Sequence, residues 1–127
     1  MNGVVVVTAL ALLEYAALGV LVGRARGKHG VEAPATTGHP EFERYFRVHQ
    51  NTLEQLVVFI PALWMFATFL NAPTAVALGL VFVVARAIYA AGYVKDPKRR
   101  GPGAMLTFGV NIILVVGALI GGLIAAN

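Results

Sequence analysis

Four segments, at about 4–24, 41–70, 74–94 and 105–126, carry long apolar runs and together take up most of a 127-residue chain. A membrane span needs about 20 mainly apolar residues and must close its backbone hydrogen bonds within itself, which a helix does. The chain is therefore expected to be all-α, an integral membrane four-helix bundle forming one domain over residues 1–127. A composition of 58% hydrophobic and 13% charged residues agrees, because soluble domains rarely reach that balance.

Local chemistry sets the expected boundaries. The first apolar run ends at Arg24 and Arg26, a stop at the membrane surface, and is expected to be retained because no basic region precedes it. Gly27 to Pro40 mixes Gly, Pro, Thr and His and reads as a loop. Pro40 suits a first helical turn, and Glu41 and Glu43 complement the positive end of the helix dipole. The second helix is polar at first and strongly apolar from Leu56 to Leu70, with a kink expected at Pro61. Asn71-Ala72-Pro73 is a short turn, and Asp96 to Gly103 a second basic loop. Gly117 and Gly121, four apart in the last helix, let another helix approach closely.

The formal net charge of +4 does not point to nucleic acid. Nine of the ten Lys and Arg residues lie in or beside the first and third loops, and no basic-aromatic recognition pattern accompanies them. They read instead as a topology signal that places both loops in the cytoplasm and both termini on the opposite side. The chain has no cysteine, so any reactive thiol arrives with a ligand. His29, His39 and His49 lack metal-ligand spacing, and no metal site is expected.

Polar residues within membrane helices are expensive and each needs a reason. Glu43, Arg47, Asn51 and Glu54 follow one another at spacings of four, four and three, which puts them on one helical face. Spacing alone leaves two readings open, an internal ion-pair ladder beginning with Glu43 and Arg47, or a ligand site. Arg86, Tyr89 and Tyr93 form a second stripe, with interfacial anchoring as its plainer reading. Together the stripes can line one polar pocket for a small zwitterionic peptide with two carboxylates, since guanidinium groups grip carboxylates and Asn pairs with amides.

The segment PATTGHPEFERYFRVHQNTLEQLVVFIPALWMFA, Pro34 to Ala67, closely resembles the first loop and second helix of the MAPEG family, the membrane-associated proteins of eicosanoid and glutathione metabolism. Its pattern E-R-x-x-R-x-x-x-N-x-x-E stands here as Glu43, Arg44, Arg47, Asn51 and Glu54. GLVFVVARAIYAAGYVKDPKRR, Gly79 to Arg100, resembles the family's third helix. The resemblance implies a homotrimer binding glutathione between subunits near the cytoplasmic surface, and a lipophilic second substrate arriving from membrane lipid. Arg47, Asn51 and Glu54 would hold glutathione from helix two, Tyr89 and Tyr93 from helix three of the adjacent subunit, with Arg26 approaching from the end of helix one; by its position one residue from the Arg47 to Asn51 face, His49 is also expected to reach the ligand. Arg100 would contact the sulfur and act as the catalytic residue, because a fixed cation lowers a thiol pKa and the thiolate is the nucleophile.

Gly27 stands where the leukotriene branch of the family has a second arginine, and Gln55 where it has a tyrosine. The expectation is accordingly glutathione transferase or peroxidase chemistry on lipophilic electrophiles. The look of the first loop suggests a bacterial member in the plasma membrane, its site towards the cytoplasm. Two other functions remain in view: a non-catalytic lipid-binding or scaffold member of the family, and a small proton-coupled exporter, favoured only by Glu14. For Glu14 the economical expectation is a partner such as Arg86 or a subunit contact. Trp64 and Phe66 are expected to face lipid or line its access route.

Overall fold

The computed structural model describes residues 1–127 as four long helices, α1 Asn2–His29, α2 Pro40–Phe69, α3 Ala72–Lys95 and α4 Gly101–Ala126, with a 3-10 turn at Pro97–Arg100 before α4. All four helices are long and apolar enough to cross a membrane, and there are no strands. Large apolar side chains such as Leu13, Val57, Met105, Phe108 and Ile124 point outward, and only 29 of the 127 residues are buried. That exterior suits hydrocarbon rather than water.

Helix ends differ from the expected ones for local reasons. α1 continues to His29 and stops at Gly30, whose φ of 64° is the left-handed conformation that only glycine adopts cheaply. α4 begins at Gly101 rather than near Met105, because Pro102 fits its first turn and the 3-10 turn feeds directly into it. At the start of α2, His39 Nδ1 accepts from the Glu41 amide at 3.1 Å. Asn71 caps α3 through its Oδ1, which accepts from Thr74 N at 2.7 Å. α2 remains one helix through Pro61.

The main core joins all four helices: Val4, Val7 and Ala11 of α1, Phe59, Leu63 and Phe66 of α2, Ala75 and Phe82 of α3, and Val110 and Leu114 of α4. Phe59 and Phe82 stack with ring centroids 3.7 Å apart. Phe66 is 6% exposed and thus belongs to this core, contrary to a lipid-facing position. Trp64 is half-buried, because its indole N–H finds Thr8 Oγ1 at 3.0 Å across the α1 contact. Gly117 and Gly121 do allow close approach: a side chain at either would meet α2, at Phe66 and at Phe69 with Leu70 respectively.

Gly103 brings α4 against α3. A Cβ there would lie 2.6 Å from Tyr89 Cα, a distance that no relaxed structure holds. Gly103→Ala is therefore expected to push the two helices apart, destabilise the protein by about 1 to 3 kcal/mol and displace Tyr89. Thermal unfolding in detergent checks this, with Gly109→Ala, where nothing lies within 4 Å, as the control.

Candidate functional site

At one end of the bundle, beside the basic loops, α2, α3 and α4 diverge around a cavity of about 550 Å³, within the size range of small-molecule sites. α2 contributes Arg47, Asn51 and Gln55, and α3 contributes Arg86, Tyr89 and Tyr93. Arg100 comes from the 3-10 turn, while Ala104, Thr107 and Phe108 come from α4. Both sequence stripes thus meet in one pocket within a single chain, and Tyr89 and Tyr93 lie beside helix two of their own subunit. The cause is packing, since α3 lies directly against both α2 and α4.

Arg86 forms the floor and is 1% exposed. Its Nη2 donates to Asn51 Oδ1 at 2.7 Å and to Thr52 Oγ1 at 2.9 Å, and its Nη1 to Thr107 Oγ1 at 3.4 Å. Both threonines can accept because each gives its hydroxyl hydrogen to its own helix, Thr52 to Val48 O and Thr107 to Gly103 O, at 2.8 Å. The guanidinium also lies 4.2 Å over the Tyr89 ring, and Tyr89 stacks on Tyr93 at 5.6 Å. All these partners are neutral. Glu14, for which Arg86 or a subunit contact is the expected partner, forms no ion pair with Arg86, and its Oε1 has no hydrogen bond within the chain.

The rim carries the other two cations. Arg47 makes no ion pair, and Glu43 instead accepts from Gly38 N at 3.2 Å, so the ladder reading of this face is not what the structure contains. Arg100 is placed by its turn: Asp96 Oδ1 caps it by accepting from Lys98 N at 3.0 Å, and Arg100 Nη1 donates to Pro97 O at 3.1 Å. Gly92 lets that turn lie against α3, since a Cβ there would come within 2.8 Å of Arg99 O. Arg44 fastens the same region, donating to Val94 O at 3.3 Å and Lys95 O at 3.2 Å at the end of α3.

The pocket wall therefore offers donors almost exclusively. It holds three guanidinium groups and no carboxylate. Asn51 spends its carbonyl on Arg86 and keeps its NH₂ free. Such a wall recognises an anionic, oxygen-rich ligand.

Three of the expected site residues lie outside this cavity. Glu54 is exposed on the next turn of α2, adjoining Asn51 at i,i+3 spacing. His49 faces α1, stacked on Tyr15 at 4.3 Å and abutting Gly19. Arg26 is held in the first loop, donating to Val31 O at 3.3 Å and Ala35 O at 2.8 Å with its guanidinium 4.7 Å over Phe42. Conversely, sequence reasoning left out Thr52 and the α4 lining. Thr107 and Asn111, four apart in an otherwise apolar helix, were the available signal.

The model of the MAPEG family matches residues 4–120. The chain is 48% identical over 114 residues to an uncharacterized protein of Synechocystis sp., covering 90% of this chain and 83% of the relative. It is 40% identical over 121 residues to microsomal glutathione S-transferase 2 of Homo sapiens, covering 95% and 80%. With leukotriene C4 synthase of Cavia porcellus it shares 37% identity over 94 residues, covering 74% and 63%.

Proposed function

The chain belongs to the MAPEG family, and from that membership and the donor-lined pocket we propose that it is a membrane glutathione transferase acting on lipophilic electrophiles. The carrying observation is the convergence of Arg47, Arg86 and Arg100 on a cavity without carboxylates. Glutathione brings two carboxylates and two amides to such a wall, and Glu54, just beyond the lining, is the acid nearest in sequence for its ammonium group. Arg100 and Tyr93 at the rim then face the thiol. A fixed guanidinium stabilises the thiolate, whose lone pair forms the new sulfur–carbon bond as the leaving group departs with its electron pair. Ala104 and the exposed Phe108 open the pocket on an apolar side, the direction from which a membrane-dissolved electrophile arrives. Peroxide reduction would use the same thiolate.

A homotrimer belongs to this proposal, with the pocket completed at the subunit contact. Arg26 and His49 would reach the ligand through that contact, while Glu54 adjoins Asn51 on the same helix. A plasma-membrane location with the pocket on the cytoplasmic side completes it, because Arg47 and Arg100 lie with the two basic loops. Fusion reporters are expected to place the C-terminus outside the cytoplasm, and a cytoplasmic C-terminus on a folded fusion would contradict that topology. Arg47→Ala is expected to weaken glutathione binding by about 1.5 to 3 kcal/mol in isothermal titration of properly assembled protein, and Glu54→Ala to do so where the ammonium is held. Unchanged affinity in both variants would make the α2 face structural.

A further inference from the structure

On the α1 side of α3, at the basic-loop end of the bundle, lies a second groove of about 480 Å³ that shares no lining residue with the donor-lined cavity. Leu18 and Leu21 of α1 and Ala90, Ala91 and Val94 of α3 form its walls, and the two alanines leave room that larger side chains would fill. Four of these residues, all but Ala91, pack at their backs on the cluster around Val48 and Tyr89. Arg44 ties α2 to the end of α3 through Val94 O and Lys95 O, so the mouth of the groove is held as well. The walls are thus formed before anything binds.

Polar side-chain groups enter the lining only at that mouth, as the Tyr45 hydroxyl and the Lys95 ammonium. Lys95 is the last residue of α3, is exposed and makes no ion pair within the chain. Arg24, exposed one turn beyond Leu21 on the same side of α1, adds a second unpaired cation at this level. No carboxylate lines the groove. Apolar walls take an alkyl chain, and cations at the membrane surface take an anionic headgroup.

We propose that this groove binds an anionic phospholipid, with one acyl chain between α1 and α3 and its phosphate at Lys95, Arg24 and the Tyr45 hydroxyl. A zwitterionic phospholipid fits the same walls but brings an ammonium group that the two cations repel. A second copy of the chain would bring its own basic loops to this level and set cation against cation. The site is independent of the transferase reading, whose cavity lies among α2, α3 and α4.

Native mass spectrometry of the detergent-purified full-length protein, titrated in parallel with dioleoyl phosphatidylglycerol and dioleoyl phosphatidylcholine, reads the affinity of the first lipid retained per subunit. Phosphatidylglycerol should bind at least about fivefold more tightly, the factor expected for one basic residue near an anionic headgroup. Lys95→Ala should remove about fivefold of that preference. Lys98→Ala, which removes an exposed cation from the neighbouring turn that lines neither cavity, should change it by less than about twofold. Ala91→Trp fills the groove without altering the charge, and should weaken retention of both lipids about tenfold, roughly the worth of two buried CH₂ groups. Lys95 and Lys98 are both exposed, so their two variants carry the test even if Ala91→Trp does not assemble. Equal retention of the two lipids, or a Lys98→Ala loss matching that of Lys95→Ala, would leave only the diffuse attraction of basic loops and overturn the site. So would undiminished binding in Ala91→Trp, and a changed subunit number in that variant with lipid retention intact would assign the groove to a second copy instead.

Discussion

Arg100→Ala should lower the rate of glutathione conjugation by about a hundredfold, the scale on which removing one group that stabilises developing anionic charge is felt. Glutathione affinity should fall far less, since Arg47 and the Asn51 amide held by Arg86 remain in the pocket. The paired readout is the ultraviolet absorbance of bound thiolate across a pH series, which should titrate at higher pH in the variant. Arg99→Ala supplies the comparison. It is exposed in the same turn but does not line the pocket, so its rate and titration should stay near those of the parent. An Arg100→Ala protein with unchanged rate and thiol titration would take Arg100 out of the mechanism and leave Tyr93 as the nearest rim group.

Replacing Arg86 should have the largest effect on stability. In Arg86→Met the buried Asn51 carbonyl and the Thr52 and Thr107 hydroxyls lose their shared donor, and the floor linking α2, α3 and α4 is gone. Leaving a buried polar group without its hydrogen-bond partner typically costs about 1 to 3 kcal/mol. A clear fall in the thermal midpoint in detergent, with loss of glutathione binding because Asn51 is released, is the expected result. Glu14→Gln should be much milder, because the hydrogen bonds of Arg86 all go to neutral partners. If Glu14→Gln destabilised the protein as much as Arg86→Met, charge pairing across α1 would outweigh the network described here.

How far the sequence could be read depended on the kind of signal. Spans were plain because hydrophobicity accumulates over about 20 residues, and the stripes on α2 and α3 were plain because helical spacing puts i, i+3 and i+4 on one face. Spacing could not say which helix each stripe meets. Tyr89 and Tyr93 line the same cavity as Arg47 and Asn51 of their own chain, where Gly103 draws α4 onto α3. Nor could it settle competition for a hydrogen bond. Glu43 turns to the Gly38 amide rather than to Arg47, and Arg86 to Asn51 rather than to Glu14, choices that depend on three-dimensional placement. Arg44, part of the family pattern, proved to hold the end of α3. Pro102 shows the limit of reading turns from composition: a Gly-Pro-Gly segment reads as loop but is the first turn of α4.

The central claim is that the donor-lined pocket binds glutathione and delivers its thiolate to a lipophilic electrophile. The most direct measurement uses the detergent-purified protein, following glutathione binding by calorimetry and conjugation to benzyl chloride by mass spectrometry of the thioether. Saturable binding that Arg47→Ala weakens, together with enzyme-dependent thioether formation that Arg100→Ala largely abolishes, is the predicted result. Well-assembled protein that binds no glutathione and forms no thioether above the uncatalysed rate would contradict it, and would turn the reading towards a lipid-binding member of the family.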